Sequence, residues 1–262
     1  MGALFKREFN LFFLALGFFS RIPMPKKLDY SADNMHHCTR YFPIIGWLLS
    51  ALLIAIYLLA EFLFGIPVAI FLLMLSSVML TGALHEDGLA DTCDGFWGGM
   101  EQVRKLDIMK DSRIGTYGSC ALVLVLLGKF ALLNQLETFN QLWLVLVIAY
   151  PLSRAMAITH VQDLPYVSHL GNVQKNKSDP LAKPMRNGHL IFVLISGALG
   201  LVLLPITMAL VLILVLFITR YILKAWMRYH IQGFTGDVLG AAQQIQEMII
   251  YLTLLAMFRW WW

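Results

Sequence analysis

Apolar residues run along this chain in blocks, each closed by a short polar or glycine-bearing stretch. About twenty apolar residues in a helix cross the roughly 30 Å of bilayer hydrocarbon. Windows of that length predict helices near 41–63, 66–84, 118–136, 141–159, 189–204, 206–227 and 239–258. That makes about seven crossings. The run from Leu190 to Phe217 is too long for one span, and Pro205, which cannot continue a helix, marks a hairpin inside it. The first apolar run, NLFFLALGFFS at 10–20, is too short to span and has Lys6 and Arg7 before it and Arg21, Lys26 and Lys27 after it. It reads as an interfacial or re-entrant helix. A cleaved signal peptide has the same charged start, but SRIPMPKK is not a small-residue cleavage site.

Composition agrees with the pattern. Of 262 residues, 59% are hydrophobic and 14% charged, against about a quarter charged in soluble domains. The expected fold class is therefore an all-α polytopic integral membrane protein, one domain over residues 1–262, with the lipid bilayer as its first partner. The cysteines Cys38, Cys93 and Cys120 form no CxxC pair, and neither a disulfide framework nor a zinc site is expected. A homo-oligomer is compatible with the sequence and not specified by it.

Charge placement orients the bundle. Lysine and arginine concentrate before residue 41, at 85–117, at 160–188 and around 220–238, while the turns near Glu61, Glu137 and Pro205 lack them. Cytoplasmic loops carry that excess, so the first group faces the cytoplasm of a cell's inner membrane and FRWWW anchors the opposite interface. The net charge of +4 is then mostly topology and not a nucleic-acid footprint. What remains attracts a phosphorylated substrate.

One stretch breaks the apolar pattern: HEDGLADTCDGFWGG at 85–99, followed by MEQVRKLDIMKDSRIGTYG. Asp87, Asp91 and Asp94 stand at i, i+4 and i+7, which on a helix is one face. Such like charges repel unless a cation sits among them. Hard oxygen donors of this kind suit Mg2+, which takes one or two carboxylates together with substrate phosphates. Gly88, Gly95, Gly98 and Gly99 keep the backbone open to a bulky ligand, and Gly95 and Gly98 enter the substrate-binding set. Asp107 and Asp111, again at i and i+4, lie among Arg104, Lys105, Lys110 and Arg113. Together these residues have the composition of a metal-assisted phosphoryl-transfer site. The plainer alternative is a solvated loop whose charges face water.

The motif HEDGLADTCDGFWGG with MKDSRIGTYG resembles the signature of the cobalamin synthase family, the adenosylcobinamide-GDP ribazoletransferases. LALGFFSRIPMP, YFPIIGWLLS, LLGKFALL and GFTGDVLGA are also similar to segments of that family, so the likeness runs along most of the chain. The resemblance implies a Mg2+-dependent enzyme of the cytoplasmic membrane. It would join adenosylcobinamide-GDP to alpha-ribazole, or to alpha-ribazole 5′-phosphate, and release GMP. Glu86 departs from the pattern, standing where an apolar residue is expected after the histidine. The spacing of the acid pairs is similar in outline to CDP-alcohol phosphotransferases as well, as shared chemistry.

On that reading Asp87, Asp91 and Asp94 hold the metal against the pyrophosphate, and Asp111 or Asp107 takes the proton of the attacking ribose 3′-hydroxyl. Lys110 and Arg113 contact phosphate oxygens. His85 is either a ligand or a hydrogen-bonded helix-end residue. Lys129 lies near mid-membrane, where a charge is costly unless paired; it either binds substrate or pairs with an acid of another helix, Glu247 being the best-placed type. Arg154 either snorkels or meets a phosphate, and Arg220 snorkels. Asp237 and Glu247, acids of the last helix, are further metal candidates. Lys175, Lys177, Lys183 and Arg186 belong to a solvated loop or to a cover over the nucleotide. Two rival classes are an aspartate-rich prenyltransferase and a cation transporter; the latter needs acids in the middle of several spans.

Overall fold

The computed structural model describes residues 2–168 and 179–261; Lys175 and Lys177 lie outside them. It consists of helices α1 (Gly2–Phe19), α2 (Ala32–Cys38), α3 (Phe42–Phe64), α4 (Ile66–Thr81), α5 (Leu84–Gly98), α6 (Gln102–Met109), α7 (Thr116–Glu137), α8 (Leu142–Ile158), α9 (Asn187–Ala198), α10 (Ile206–Ile231) and α11 (Gly236–Trp261), with 3-10 turns between several of them. All seven expected spans coincide with helices. Five, those built on α3, α7, α8, α10 and α11, are long and apolar enough to cross a membrane alone; α9 with its following 3-10 turn (187–203) is shorter. Pro205 separates that turn from α10, as its chemistry requires.

The layout follows burial. The span around α8 is 89% buried, against 17% for α7 and 28% for α10. Hence α8 is central, with α3, α9 and α11 packed on it, while α7 and α10 turn large apolar residues such as Leu124, Leu127, Leu214 and Phe217 outward, where lipid would cover them. Gly46 of α3 lets that helix meet α8 closely: a Cβ there would stand 2.7 Å from the Pro151 Cα and the Tyr150 carbonyl oxygen.

Two features matter for the site. The acidic segment after α4 is a helix, as the spacing of its acids supposes, and the chain bends by 84° between α4 and α5. Gly82 (φ 65°) and Ala83 (φ 59°) are both left-handed, which breaks the α4 hydrogen-bond ladder and re-aims the chain. The first helix starts at Gly2, not near residue 10, and packs Leu11, Leu14, Ala15 and Phe19 into the core. At its solvated end Glu8 joins Arg40 and Tyr41 in an ion pair and hydrogen bonds. Cys38 and Cys93 are buried free thiols and Cys120 is exposed.

A backbone pairing closes one mouth of the bundle. The Val167 N–H donates to the Phe234 carbonyl (3.0 Å) and the Phe234 N–H to the Pro165 carbonyl (2.9 Å), tying the segment after α8 to the turn between α10 and α11. Arg220 is not snorkelling; it reaches across to Thr159 and Asp163 at the end of α8.

Candidate active site

The bend at Gly82–Ala83 carries the acidic motif onto α5, and α5 packs along α11. Gly88 permits this approach: a Cβ on it would lie 2.6 Å from the Asp237 carbonyl oxygen, whereas one on Gly240 would make ordinary contact, 3.4 Å from the His85 Cα. Asp237, in the first turn of α11, thereby comes beside the acids of α5: the charges acting on Asp91 are those of Asp237, Asp87 and Asp94, and Asp237 feels Asp87 and Lys110. Asp237 also accepts a hydrogen bond from the Thr235 hydroxyl (3.3 Å).

The expected stripe of three carboxylates is divided. Asp87 is exposed and Asp91 half-buried, whereas Asp94 is buried and turned toward α7. There its two oxygens accept the N–H groups of Gly115 (2.7 Å) and Gly118 (2.9 Å). Asp94 therefore caps the start of α7, and both glycines are needed because a Cβ on either would collide with its carboxylate. Its expected place among the metal ligands gives way to this bracing role. The open cluster is Asp87, Asp91 and Asp237.

Asp87 and Asp237 border one cavity of about 210 Å³. Its other walls include Phe18 and Phe19 of α1, Phe42 of α3, His85 of α5 and Phe234. Phe19 stacks on Phe42 (centroids 3.8 Å apart, planes at 19°), and Phe42 on His85 (5.8 Å, 17°). Four of the six segments that carry the likeness contribute residues to this wall: LALGFFSRIPMP, YFPIIGWLLS, HEDGLADTCDGFWGG and GFTGDVLGA. Among the described residues, no three of His, Cys, Asp and Glu converge tightly enough to hold a metal by themselves. Magnesium asks less of a protein: one or two carboxylates, with waters and substrate phosphates completing the shell. Asp87, Asp91 and Asp237 fit that requirement.

The basic segment divides too. Lys110 donates to the Ser168 carbonyl (2.6 Å) and sits in the field of Asp237, close to the cluster. Arg113 instead grips Asp111 with its Nε (3.0 Å to one oxygen, 3.1 Å to the other) and Nη2. Hydrogen bonds from Arg113 hold the Asp111 carboxyl down to about 2. A carboxylate so far below neutrality is a weak proton acceptor, which speaks against Asp111 as the base. Asp107 lies half-buried on α6.

Packing corrects the expectations for Gly95, Arg154, Glu247 and Lys129. The space beside Gly95 is filled by α6, since a Cβ there would stand 2.9 Å from the Lys105 carbonyl oxygen and against Met109; it serves helix packing, while Gly98 is exposed at the end of α5. Arg154 is 2% exposed, donates to the Tyr150 carbonyl (2.9 Å) and lies over the Tyr150 and Phe42 rings, so it neither snorkels nor presents itself to a phosphate. Glu247 is no open ligand: Lys129 (2.8 Å) and Tyr251 (3.0 Å) bind one oxygen and Gln243 (2.7 Å) the other. Lys129 is thus paired with the acid expected for it and not directed at substrate. This second cluster borders a separate, much smaller cavity with Glu86, whose carboxylate accepts from Gln244 of α11 (3.2 Å). That bond accounts for the acid where an apolar residue was expected.

The aromatic wall escaped the residue-by-residue reading. Its only signal in the sequence was the likeness of the segments that carry it.

Comparison with known proteins bears on this arrangement. The sequence pattern described as cobalamin-5-phosphate synthase matches residues 11–255. A protein of Pseudoalteromonas atlantica named adenosylcobinamide-GDP ribazoletransferase is 51% identical over 248 residues, covering 95% of this chain and 91% of its own length. Proteins with the same name from Vibrio parahaemolyticus (43% identical; 98% and 96% covered) and Shewanella amazonensis (45%; 96% and 96%) are similar over nearly all their length. No solved structure matches the chain.

Proposed function

Because this chain belongs to the cobalamin-5-phosphate synthase family, we propose that it transfers the adenosylcobinamide phosphate moiety of adenosylcobinamide-GDP to alpha-ribazole or its 5′-phosphate. The products are adenosylcobalamin or its 5′-phosphate, and GMP. The reaction takes place at the cytoplasmic face of the inner membrane, the side to which lysine and arginine placement assigns the acidic helix. One observation carries the reading: acids from two distant segments, Asp87 and Asp237, border a single cavity.

The chemistry is a displacement at phosphorus. The ribose 3′-hydroxyl oxygen of the acceptor bonds to the phosphorus carried by the corrinoid; the bond from that phosphorus to the bridging oxygen breaks, and GMP leaves with that oxygen. Asp87 and Asp91 would hold Mg2+, which when bound offsets charge on the phosphate oxygens. Asp237, whose backbone packs on Gly88, accepts the hydroxyl proton. This role moves to it from Asp111 and Asp107 because it borders the cavity, whereas Asp111 is tied to Arg113. Lys110 stands beside Asp237 to meet a phosphate oxygen. Asp94 keeps α7, and with it the Gly115–Gly118 segment, in place.

The test is turnover by the full chain in lipid bilayers, supplied with adenosylcobinamide-GDP, alpha-ribazole and magnesium, with GMP and the cobalamin product followed together. Absence of both products, with or without magnesium, overturns the reading.

A further inference from the structure

The walls of the 210 Å³ cavity are aromatic and aliphatic, and its acids are the pair assigned above to the reaction. Resting on that assignment, we propose that this cavity seats the heteroaromatic base of the acceptor nucleoside, flat against the aromatic wall, with the sugar directed to Asp87 and Asp237.

Three observations support the fit. The first is size: about 210 Å³ matches a bicyclic ring system far better than a corrin macrocycle. The second is surface. Phe19, Phe42 and His85 form a continuous stack, and Tyr166 and Phe234 form a second aromatic pair (5.4 Å). The hydrogen bonds flanking Phe234 fix the backbone of that pair, so its flat surface exists before a ligand arrives. A dimethylated benzimidazole, apolar around most of its edge, matches such walls. Guanine, whose edge is lined with donors and acceptors, would leave most of them unpaired against Phe18, Ala157, Ile158 and Leu181. The third is placement. A base held among these rings puts its ribose beside Asp87 and Asp237, leaving the charged cluster and Lys110 to the pyrophosphate of the other substrate.

Two variants separate the seat from the fold. Phe42→Leu removes a flat surface at nearly constant apolarity, and Ala182→Phe fills the cavity from the 3-10 turn at Asp179–Ala182, outside the spanning helices. With the full chain in lipid nanodiscs, equilibrium dialysis against labelled alpha-ribazole and steady-state kinetics are the readouts. Each variant should raise the Kd and KM for alpha-ribazole about tenfold, the scale of one lost aromatic stacking contact. The KM for adenosylcobinamide-GDP should stay within about twofold. Free 5,6-dimethylbenzimidazole, the base of alpha-ribazole, should displace labelled alpha-ribazole from the wild type, and its own Kd should rise alongside that of alpha-ribazole in Ala182→Phe. A wild type that neither binds alpha-ribazole nor turns over brings down the functional reading itself. A wild type that does both, while the variants keep its alpha-ribazole constants or lose affinity for both substrates alike, overturns this proposal alone.

Discussion

Two groups of charges gather where α5 and α11 meet their neighbours, and they are built on opposite principles. Deep in the bundle, Glu247 meets Lys129, and Glu86 and Arg154 lie close enough that, with Glu247, all three act on Tyr150. Acids and bases balance there, and Glu247 has a partner for each oxygen. At the mouth, Asp87, Asp91 and Asp237 lie within one another's field, with Lys110 nearby, and the acids outnumber the bases. A balanced group in low dielectric neutralises its own charge and holds helices in register; an unbalanced one is in want of a ligand. The first therefore reads as architecture and the second as chemistry.

Substitution sharpens this contrast, beginning with the mouth. Asp87→Asn and Asp237→Asn should each lower kcat by about a hundredfold or more while thermal unfolding in detergent stays near that of the wild type. Wild-type rates in both would dissolve the distinction. In the balanced group the effects exchange. Lys129→Met leaves Glu247 buried without its cation and should cost about 3–5 kcal/mol of stability, read from denaturant or thermal unfolding. Adding Glu247→Gln should recover most of that loss, since no bare charge is then left. Asp94→Ala occupies the middle ground: losing the cap of α7 should cost about 1–2 kcal/mol, with a fall in activity that tracks the displaced segment. If it abolished turnover with no change in unfolding, Asp94 would belong with Asp87 and Asp237.

The smallest effect is expected at Asp111. Its pKa in the folded chain, about 2, lies below the unfolded value. The Arg113 pair therefore stabilises above roughly pH 4 and is lost as pH falls from about 4 toward 2. The pair is solvated, so the contribution is slight. Asp111→Asn should accordingly leave the rate profile between about pH 5 and 9 unmoved, in pH-stat or buffered assays. A lost basic or acidic limb in that range would return Asp111 to the role of base.

Much of the bundle was readable before any coordinates. Each apolar window became a helix because apolar length is what a bilayer selects. The pairing of Lys129 with an acid of another helix was equally legible, because an isolated ammonium inside a span is too costly to keep. The site was legible by type and less so by membership. Asp87, Asp91 and Asp237 keep together, while Asp94 is diverted to α7, Asp111 to Arg113, Gly95 to α6, and Arg154 to the rings of Tyr150 and Phe42. None of these diversions leaves a local trace, since each depends on a partner supplied by a different element.

Spacing along a single helix decided which acids share a stripe, and charge placement decided which end of the bundle they occupy. Those are properties of neighbours in the chain, set by backbone periodicity and by the lipid. Which stripe stays open was decided in three dimensions. Two successive left-handed residues at Gly82 and Ala83 turn α5, and the glycine at 88 admits α11, so that Asp237 and an aromatic wall meet the acids. Close approach of backbones is a matter of volume and angle between segments, and a linear pattern of residue types carries neither.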